Sequence, residues 1–296
     1  MESPYIIELP KIIDRRGNLS FVEGLNHIPF EIKRTFWIYD VPGGEIRGGH
    51  AYKETEEFIV ALSGSFDIVI HDGLNEKRIH LNRSYFGVYI PKMMWRFMDN
   101  FSTNSVALVL SSTHFSEQDY IRDFNIFANL VKNKVVIENF SSSFVSKSIE
   151  IKEHESNTNK VFNCSFLEFD KHSHDKGNIT VVENSIDIPF DVKRSYYLYD
   201  IPGGEDRGGH AHKELYQLVI AAGGAFDVTL DDGNVKRTIT LNRPYQGLFI
   251  VPGLWRELHN FSSGAICLVL ASHVYNENDY IRSYDEFLKY KLWEKA

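Results

Sequence analysis

Two histidines two residues apart, His210 and His212, stand in the stretch Arg207-Gly208-Gly209-His210-Ala211-His212-Lys213 of this 296-residue chain. The apolar run from Leu215 to Ala221 that follows predicts a buried strand, and Pro202-Gly203-Gly204 before it predicts a turn. On a strand, residues two apart project from the same face, so both imidazoles share one wall. Imidazole titrates near neutral pH, which suits such a pair to general base and acid work.

Other polar residues fall on or beside the predicted strands around them: Tyr196, Arg194, Arg207, Gln217, Trp255 and Arg256. Several arginines gathered inside a small β domain are costly unless an anion compensates them. Phosphate matches the planar donor fork of Arg, and an indole offers a stacking surface for a base, so the set points to a nucleotide ligand.

The same pattern occurs 160 residues earlier, as Arg47-Gly48-Gly49-His50-Ala51-Tyr52-Lys53. The offset holds for Lys33-Arg34 and Lys193-Arg194, Leu81-Asn82-Arg83 and Leu241-Asn242-Arg243, Trp95-Arg96 and Trp255-Arg256, and Asp119-Tyr120-Ile121-Arg122 and Asp279-Tyr280-Ile281-Arg282. A period this long is a whole domain, so the chain is a tandem duplication. His50, Arg34, Arg47, Trp95 and Arg96 are the first-copy counterparts, but Phe36 stands at the Tyr196 position and Tyr52 at the His212 position. Phenylalanine carries no exchangeable proton, and tyrosine with a pKa of about 10 is a poor base at neutral pH. The second copy is therefore expected to carry the main activity, with the first impaired, inactive or altered in specificity.

Each copy reads as short β-rich runs, at 36–39, 58–62, 66–70, 88–90 and 106–110 in the first and 196–199, 218–221, 226–230, 248–251 and 265–270 in the second. Ser116-Glu117-Gln118-Asp119 and Asn276-Glu277-Asn278-Asp279 read as caps leading into helices through Phe127 and Phe287. The predicted organisation is an N-terminal domain at 1–138, a polar linker at 139–160 around Ser141-Ser142-Ser143, and a C-terminal domain at 161–296. Val135-Val136-Ile137 is a candidate edge strand, and residues 162–167 open the second domain as 5–9 open the first.

Net charge is −8 with no block of Lys or Arg, which argues against nucleic acid and anionic membranes as partners. Cys164 and Cys267 are too few for a disulfide framework, and Cys267 sits in an apolar run as a buried thiol. The start lacks a basic-then-apolar leader and no apolar run reaches membrane-spanning length, so a cytoplasmic protein is expected.

Many short strands with a His-x-His strand after a glycine-rich turn suggest an all-β chain of two tandem cupin-type barrels (double-stranded β-helix, or jelly roll), each with a short C-terminal helix. The metal-binding cupin pattern, set on this sequence, places Gln217 where a Glu ligand stands and Arg256 where a third His stands. The first copy keeps His50 and Glu57 but has Tyr52 and Arg96 in the other two positions. A guanidinium is always protonated and has no lone pair to give, so no metal and no cofactor is expected.

Lys-Arg-x-Tyr-Tyr, Arg-Gly-Gly-His-Ala-His-Lys, Leu-Asn-Arg-Pro, Leu-Trp-Arg-Glu and Asp-Tyr-Ile-Arg, within residues 193–282, together resemble the FdtA/QdtA-type sugar nucleotide 3,4-ketoisomerases. The resemblance covers nearly all of both copies, although a tandem arrangement departs from the family's single-domain form. It implies conversion of dTDP-4-keto-6-deoxy-D-glucose to a 3-keto isomer on the route to 3-amino-3,6-dideoxy sugars of bacterial surface glycans. It further implies His210 as the base, with His212 and Tyr196 in support and His50 as its first-copy counterpart. Arg194, Arg207, Gln217, Arg256, Arg34, Arg47 and Arg96 would bind the dTDP-linked sugar, and Trp255 and Trp95 would line the nucleotide site. Arg16, Lys176, Arg96 and Arg256 are candidates for setting the product's configuration at C4.

Relatives of this kind form dimers with exchanged N-terminal strands, so the two halves are expected to form an internal pseudo-dimer; pairing of whole chains is left open. Rival readings are a metal-free sugar nucleotide 3,5-epimerase, a non-catalytic sugar-nucleotide-binding cupin, and a metal-dependent cupin oxygenase.

Overall fold

The structure, a computed structural model, describes residues 3–133 and 155–292. Val135-Val136-Ile137, Ser141-Ser142-Ser143 and most of the expected linker lie outside the described residues. The chain forms two compact units, each drawn from three stretches of sequence. The first comprises the described residues of Met1–Leu9, Gly24–Lys147 and Lys171–Ile186, and the second those of Pro10–Glu23, Ser148–Asp170 and Asp187–Ala296. Residues 10–23 thus belong with the C-terminal half and 171–186 with the N-terminal half.

The second unit contains two antiparallel sheets. One has seven strands in the order Ser165–Glu168, Gln246–Ile250, Gln217–Gly223, Ile266–Ala271, Arg194–Tyr199, Asn18–Glu23 and Lys11–Ile12. The other has five, in the order Lys236–Leu241, Phe226–Asp231, Trp255–His259, Arg207–His212 and Tyr280–Ile281. The first unit repeats this plan, with Gly177–Glu183 and Lys171–His174 completing its seven-stranded sheet. The strands expected from apolar runs are all present, but they make open sheets and not closed barrels. Outer strands of two residues, Lys11–Ile12 and Tyr280–Ile281, are too short to carry a hydrogen-bond ladder onward.

Burial explains why the central strands read as unbroken apolar runs. Leu218, Val219, Ile220, Leu268, Val269 and Leu270 are fully buried on strands that pair with one another. The hairpin between Phe226–Asp231 and Lys236–Leu241 turns at Asp232-Gly233. There Asp232 Oδ1 accepts from the N–H groups of Asn234 and Val235, and Gly233 takes a left-handed φ of 87°. Strand Asn18–Glu23 adds to Arg194–Tyr199 with Glu23 opposite Arg194 and Phe21 opposite Tyr196.

The helices start later than their expected caps. Ser116 and Asn276 begin single 3₁₀ turns, Glu117–Asp119 and Glu277–Asp279, and a two-residue strand follows each. The α-helices run over Phe124–Lys132 and Tyr284–Leu292. Asp123 caps the first, its side chain accepting from the N–H groups of Asn125 and Ile126 at 2.7 and 3.0 Å. Pairing of Tyr120 with Tyr52 and of Tyr280 with His212 draws the intervening residues into strands.

Candidate active site

The strand Arg207–His212 pairs with Trp255–His259, His210 opposite Arg256 and Ala211 opposite Trp255, and the register breaks between Arg207 and His210. Gly208 sits at the break with φ of 87°, and a Cβ there would stand 2.6 Å from Arg256 Nη1. The glycine pair of the motif therefore makes a bulge through which the Arg256 guanidinium approaches the backbone. Alternation then sends Arg256 and Trp255 to opposite faces. Trp255 packs against helix Tyr284–Leu292, its ring centroid 5.3 Å from that of Tyr284 and 5.9 Å from that of Phe287. Its Nε1 donates to Glu257 Oε1 at 2.9 Å, which leaves it outside the wall it was expected to line.

On the inner face Arg256 organises a closed polar network between the two sheets of the unit. Its Nε donates to Gln217 Oε1 at 2.8 Å, and its Nη2 donates to Tyr196 Oη and His210 Nε2, each at 3.0 Å. Gln217 Nε2 donates to Tyr196 Oη at 2.8 Å and lies 3.4 Å from His212 Nε2. His212 Nδ1 donates to Asp279 Oδ2 at 2.7 Å, while Asp279 Oδ1 accepts the N–H groups of Lys213 and Glu214.

A guanidinium can only donate, so His210 Nε2 must be an acceptor and its proton resides on Nδ1. His212 carries its proton on Nδ1 as well, fixed there by Asp279. Burial, reinforced by Arg256 and further cations, holds His210 well below the usual imidazole range. Burial also brings His212 down to about 4, outweighing the hydrogen bond it donates to Asp279, which acts to raise it. Both rings are neutral at pH 7. Their centroids are 4.9 Å apart at right angles, and Tyr280 lies against both at 4.9 and 4.3 Å.

His210, Tyr196 and Arg256 open on a cavity of about 450 Å³. Arg194, Arg207, Arg282 and Arg16 also line it, with Tyr275, Tyr280, Ile12, Leu19 and Phe21. His212 and Gln217 stand behind that wall and hold its members in place. Arg207 Nη1 donates to Gly17 O at 2.9 Å, and Arg16 forms a two-point pair with Asp14. Arg194 is buried with its Nε unpartnered. Sequence reasoning missed Asp279, Tyr280, Arg282 and Tyr275 as site residues. The signal for the first three was there, since Asp-Tyr-Ile-Arg is matched in both copies.

In the first unit the same positions are differently wired. Glu57 stands where Gln217 does and pairs with Arg96 through both oxygens, at 2.8 Å to Nε and 2.9 Å to Nη2, while Arg96 Nη1 donates to Gly48 O at 2.8 Å. His50 Nε2 is buried without a partner, and Tyr52 Oη donates to Tyr120 Oη at 3.1 Å. Asp119, with no imidazole to hold, accepts from the Thr55 hydroxyl. Trp95 packs on Phe124 and Phe127, as Trp255 packs in the second unit. Lys176, the counterpart of Arg16, pairs with Glu45 at 3.2 Å.

The family described as FdtA (WxcM-like, C-terminal) matches the sequence twice, at residues 2–132 and 162–292. The chain belongs to the FdtA family. One relative of this FdtA-family chain is the TDP-4-oxo-6-deoxy-alpha-D-glucose-3,4-oxoisomerase of Aneurinibacillus thermoaerophilus. It is 46% identical over 132 residues, spanning 45% of this chain and 91% of the relative. Among solved structures, a 3,4-ketoisomerase from Helicobacter canadensis is 49% identical, covering 43% of this chain and 96% of its own, with a TM-score of 0.43. QdtA, a sugar 3,4-ketoisomerase from Thermoanaerobacterium thermosaccharolyticum in complex with TDP, is 37% identical over 46% of this chain and 100% of its own, with a TM-score of 0.45. Among the described residues of this FdtA-family chain, no group of three or more His, Cys, Asp or Glu side chains is placed to hold a metal ion. No described helix is long and apolar enough to cross a membrane. Both cysteines are free and buried.

Proposed function

We propose that the chain is a sugar nucleotide 3,4-ketoisomerase acting on dTDP-4-keto-6-deoxy-D-glucose, with the second unit as its active site. The observation that carries this reading is the neutral His210 imidazole on the cavity wall, its basic nitrogen on the same guanidinium nitrogen that reaches the Tyr196 hydroxyl.

The C4 ketone acidifies the hydrogen on C3. His210 Nε2 takes that proton, the C3–H electrons move into a C3–C4 double bond, and the C4 oxygen accepts charge. Return of a proton to C4, with loss of the O3 proton, leaves the ketone at C3. Hydrogen moves within the substrate, so the reaction balances without an outside oxidant. A ketone oxygen accepting from Arg256 Nη2 would draw that donor away from His210 and free its lone pair while stabilising the enediolate. The Tyr196 hydroxyl already accepts from Gln217 and Arg256 and has its own hydrogen left to exchange with the sugar oxygens.

After burial, Arg256, Arg282 and Arg194 depress His210, and Arg194 is a group that a diphosphate would neutralise. Arg194 and Arg207 would hold it, and by offsetting the charge of Arg194 substrate binding would strengthen the base. Incubation with dTDP-4-keto-6-deoxyglucose in deuterated water tests the reading: NMR should show the ketone moving from C4 to C3. Deuterium at C3 and C5 with the ketone still at C4 would instead identify a 3,5-epimerase.

A further inference from the structure

The first unit repeats the positions in and behind the wall of the second unit's cavity, with two hydroxyls and one imidazole replaced and the cations and His50 kept. Phe36, Tyr52 and Phe115 replace Tyr196, His212 and Tyr275, while Arg34, Arg47, His50, Tyr120 and Arg122 remain. Glu57 neutralises Arg96, and Glu117 pairs with Arg122. At the site positions Arg34 and Arg47 have no acid partner among the described residues. Arg34 is 2% exposed, its Nε and Nη2 have no hydrogen-bond partner, and the Phe36 and Phe115 rings lie 5.7 Å from its guanidinium carbon. Glu183, opposite Arg34 in the ladder, accepts from the Phe115 N–H and pairs with His114 Nδ1 at 2.9 Å. Arg47 is half-buried, and the residue matching Asp14, the acid beside its counterpart Arg207, is His174.

A guanidinium cannot shed its charge, and a buried N–H with no acceptor destabilises the fold that holds it. The second unit uses the equivalent arginines around a cavity; here they persist although the Tyr196 hydroxyl and the His212 imidazole have no counterpart and His50 Nε2 lacks the guanidinium contact that His210 has. Their counterparts Arg194 and Arg207 line one cavity, and an anion with several oxygens is the ligand that suits such a pair. We infer that the first unit is a second nucleoside-diphosphate site, which holds the diphosphate on Arg34 and Arg47 and does not isomerise the sugar. The inference rests on the reading of the second unit given above, and the two fail separately.

Calorimetric titration of the full chain with thymidine diphosphate should give two bound per chain. An Arg34→Gln/Arg47→Gln protein should bind one, and an Arg194→Gln/Arg207→Gln protein should bind one and move no ketone. His210→Asn should abolish ketone migration while still binding two. A single site in the unaltered chain that survives Arg34→Gln/Arg47→Gln would overturn the second site and leave the isomerase standing. Residual migration in His210→Asn that His50→Asn removes would overturn the claim that the first unit does no chemistry. Two bound diphosphates with no ketone movement would overturn the isomerase reading and not the second site. The stoichiometry of the unaltered chain needs no variant to fold.

Discussion

At the residue scale, the two imidazoles differ in what holds them. His210 faces the cavity and meets only donors and aromatic rings, whereas His212 is held from behind by Asp279. His210→Ala should lower kcat by roughly 10²- to 10⁴-fold. His50→Ala should cost much less, and equal losses in steady-state kinetics would refute the asymmetry of the units. Asp279→Asn should lower kcat by about tenfold or more and remove the low-field proton signal of a carboxylate-bound His212 Nδ1–H, with little change in KM. Both histidines titrate lower in the folded chain than unfolded, so the unfolded chain binds more protons as pH falls through about 6.5. Folding stability must therefore be full above that pH and decline below it, the His212 part levelling off near 4, where that ring also protonates in the folded state. The shift of His212 is worth roughly 3 kcal/mol. Denaturant melts from pH 7.5 to 4 should show this loss, and it should shrink in His212→Asn.

At the scale of elements, the site depends on a bulge. Gly208 has a left-handed φ and leaves room for Arg256 Nη1, so Gly208→Ala adds backbone strain of roughly 1–2 kcal/mol and pushes the guanidinium off His210 and Tyr196. We expect kcat/KM to fall at least tenfold with a drop of only a few degrees in Tm, because the bulge lies beside the cavity and not in the apolar centre of the sheet. An unchanged kcat/KM would show that the Arg256 contacts are dispensable. Strand periodicity also decided the fate of the tryptophans. One residue of offset from Arg256 puts Trp255 on the helix side of its sheet, where it packs with Tyr284 and Phe287.

At the scale of the whole molecule, each unit's seven-stranded sheet is completed by a pair of strands from the other half of the sequence, joined to it through the inner strand of the pair. The two inner strands are near copies, Asn18-Leu19-Ser20-Phe21-Val22-Glu23 and Asn178-Ile179-Thr180-Val181-Val182-Glu183. A fragment of residues 155–296 expressed alone lacks Asn18–Glu23 beside Arg194–Tyr199 but retains Gly177–Glu183. It should therefore pair with a second copy through that strand, with a mass by light scattering twice that of the fragment. A stable monomeric fragment would refute this.

The residues alone determined the duplication, the β-rich class and the strand positions, and they pointed to His210, Tyr196, Arg194, Arg207 and Arg256, which the fold gathers around one cavity. Such features are written in local periodicity and in matched positions, which need no knowledge of distant contacts. Only the folded chain decided that Leu19 and Phe21 line the cavity of the second unit, that Asp279 orients His212, that Glu57 captures Arg96, and that Trp255 faces away. Each of these depends on pairings between segments far apart in sequence, or on a bulge that shifts the register, and no local pattern encodes either.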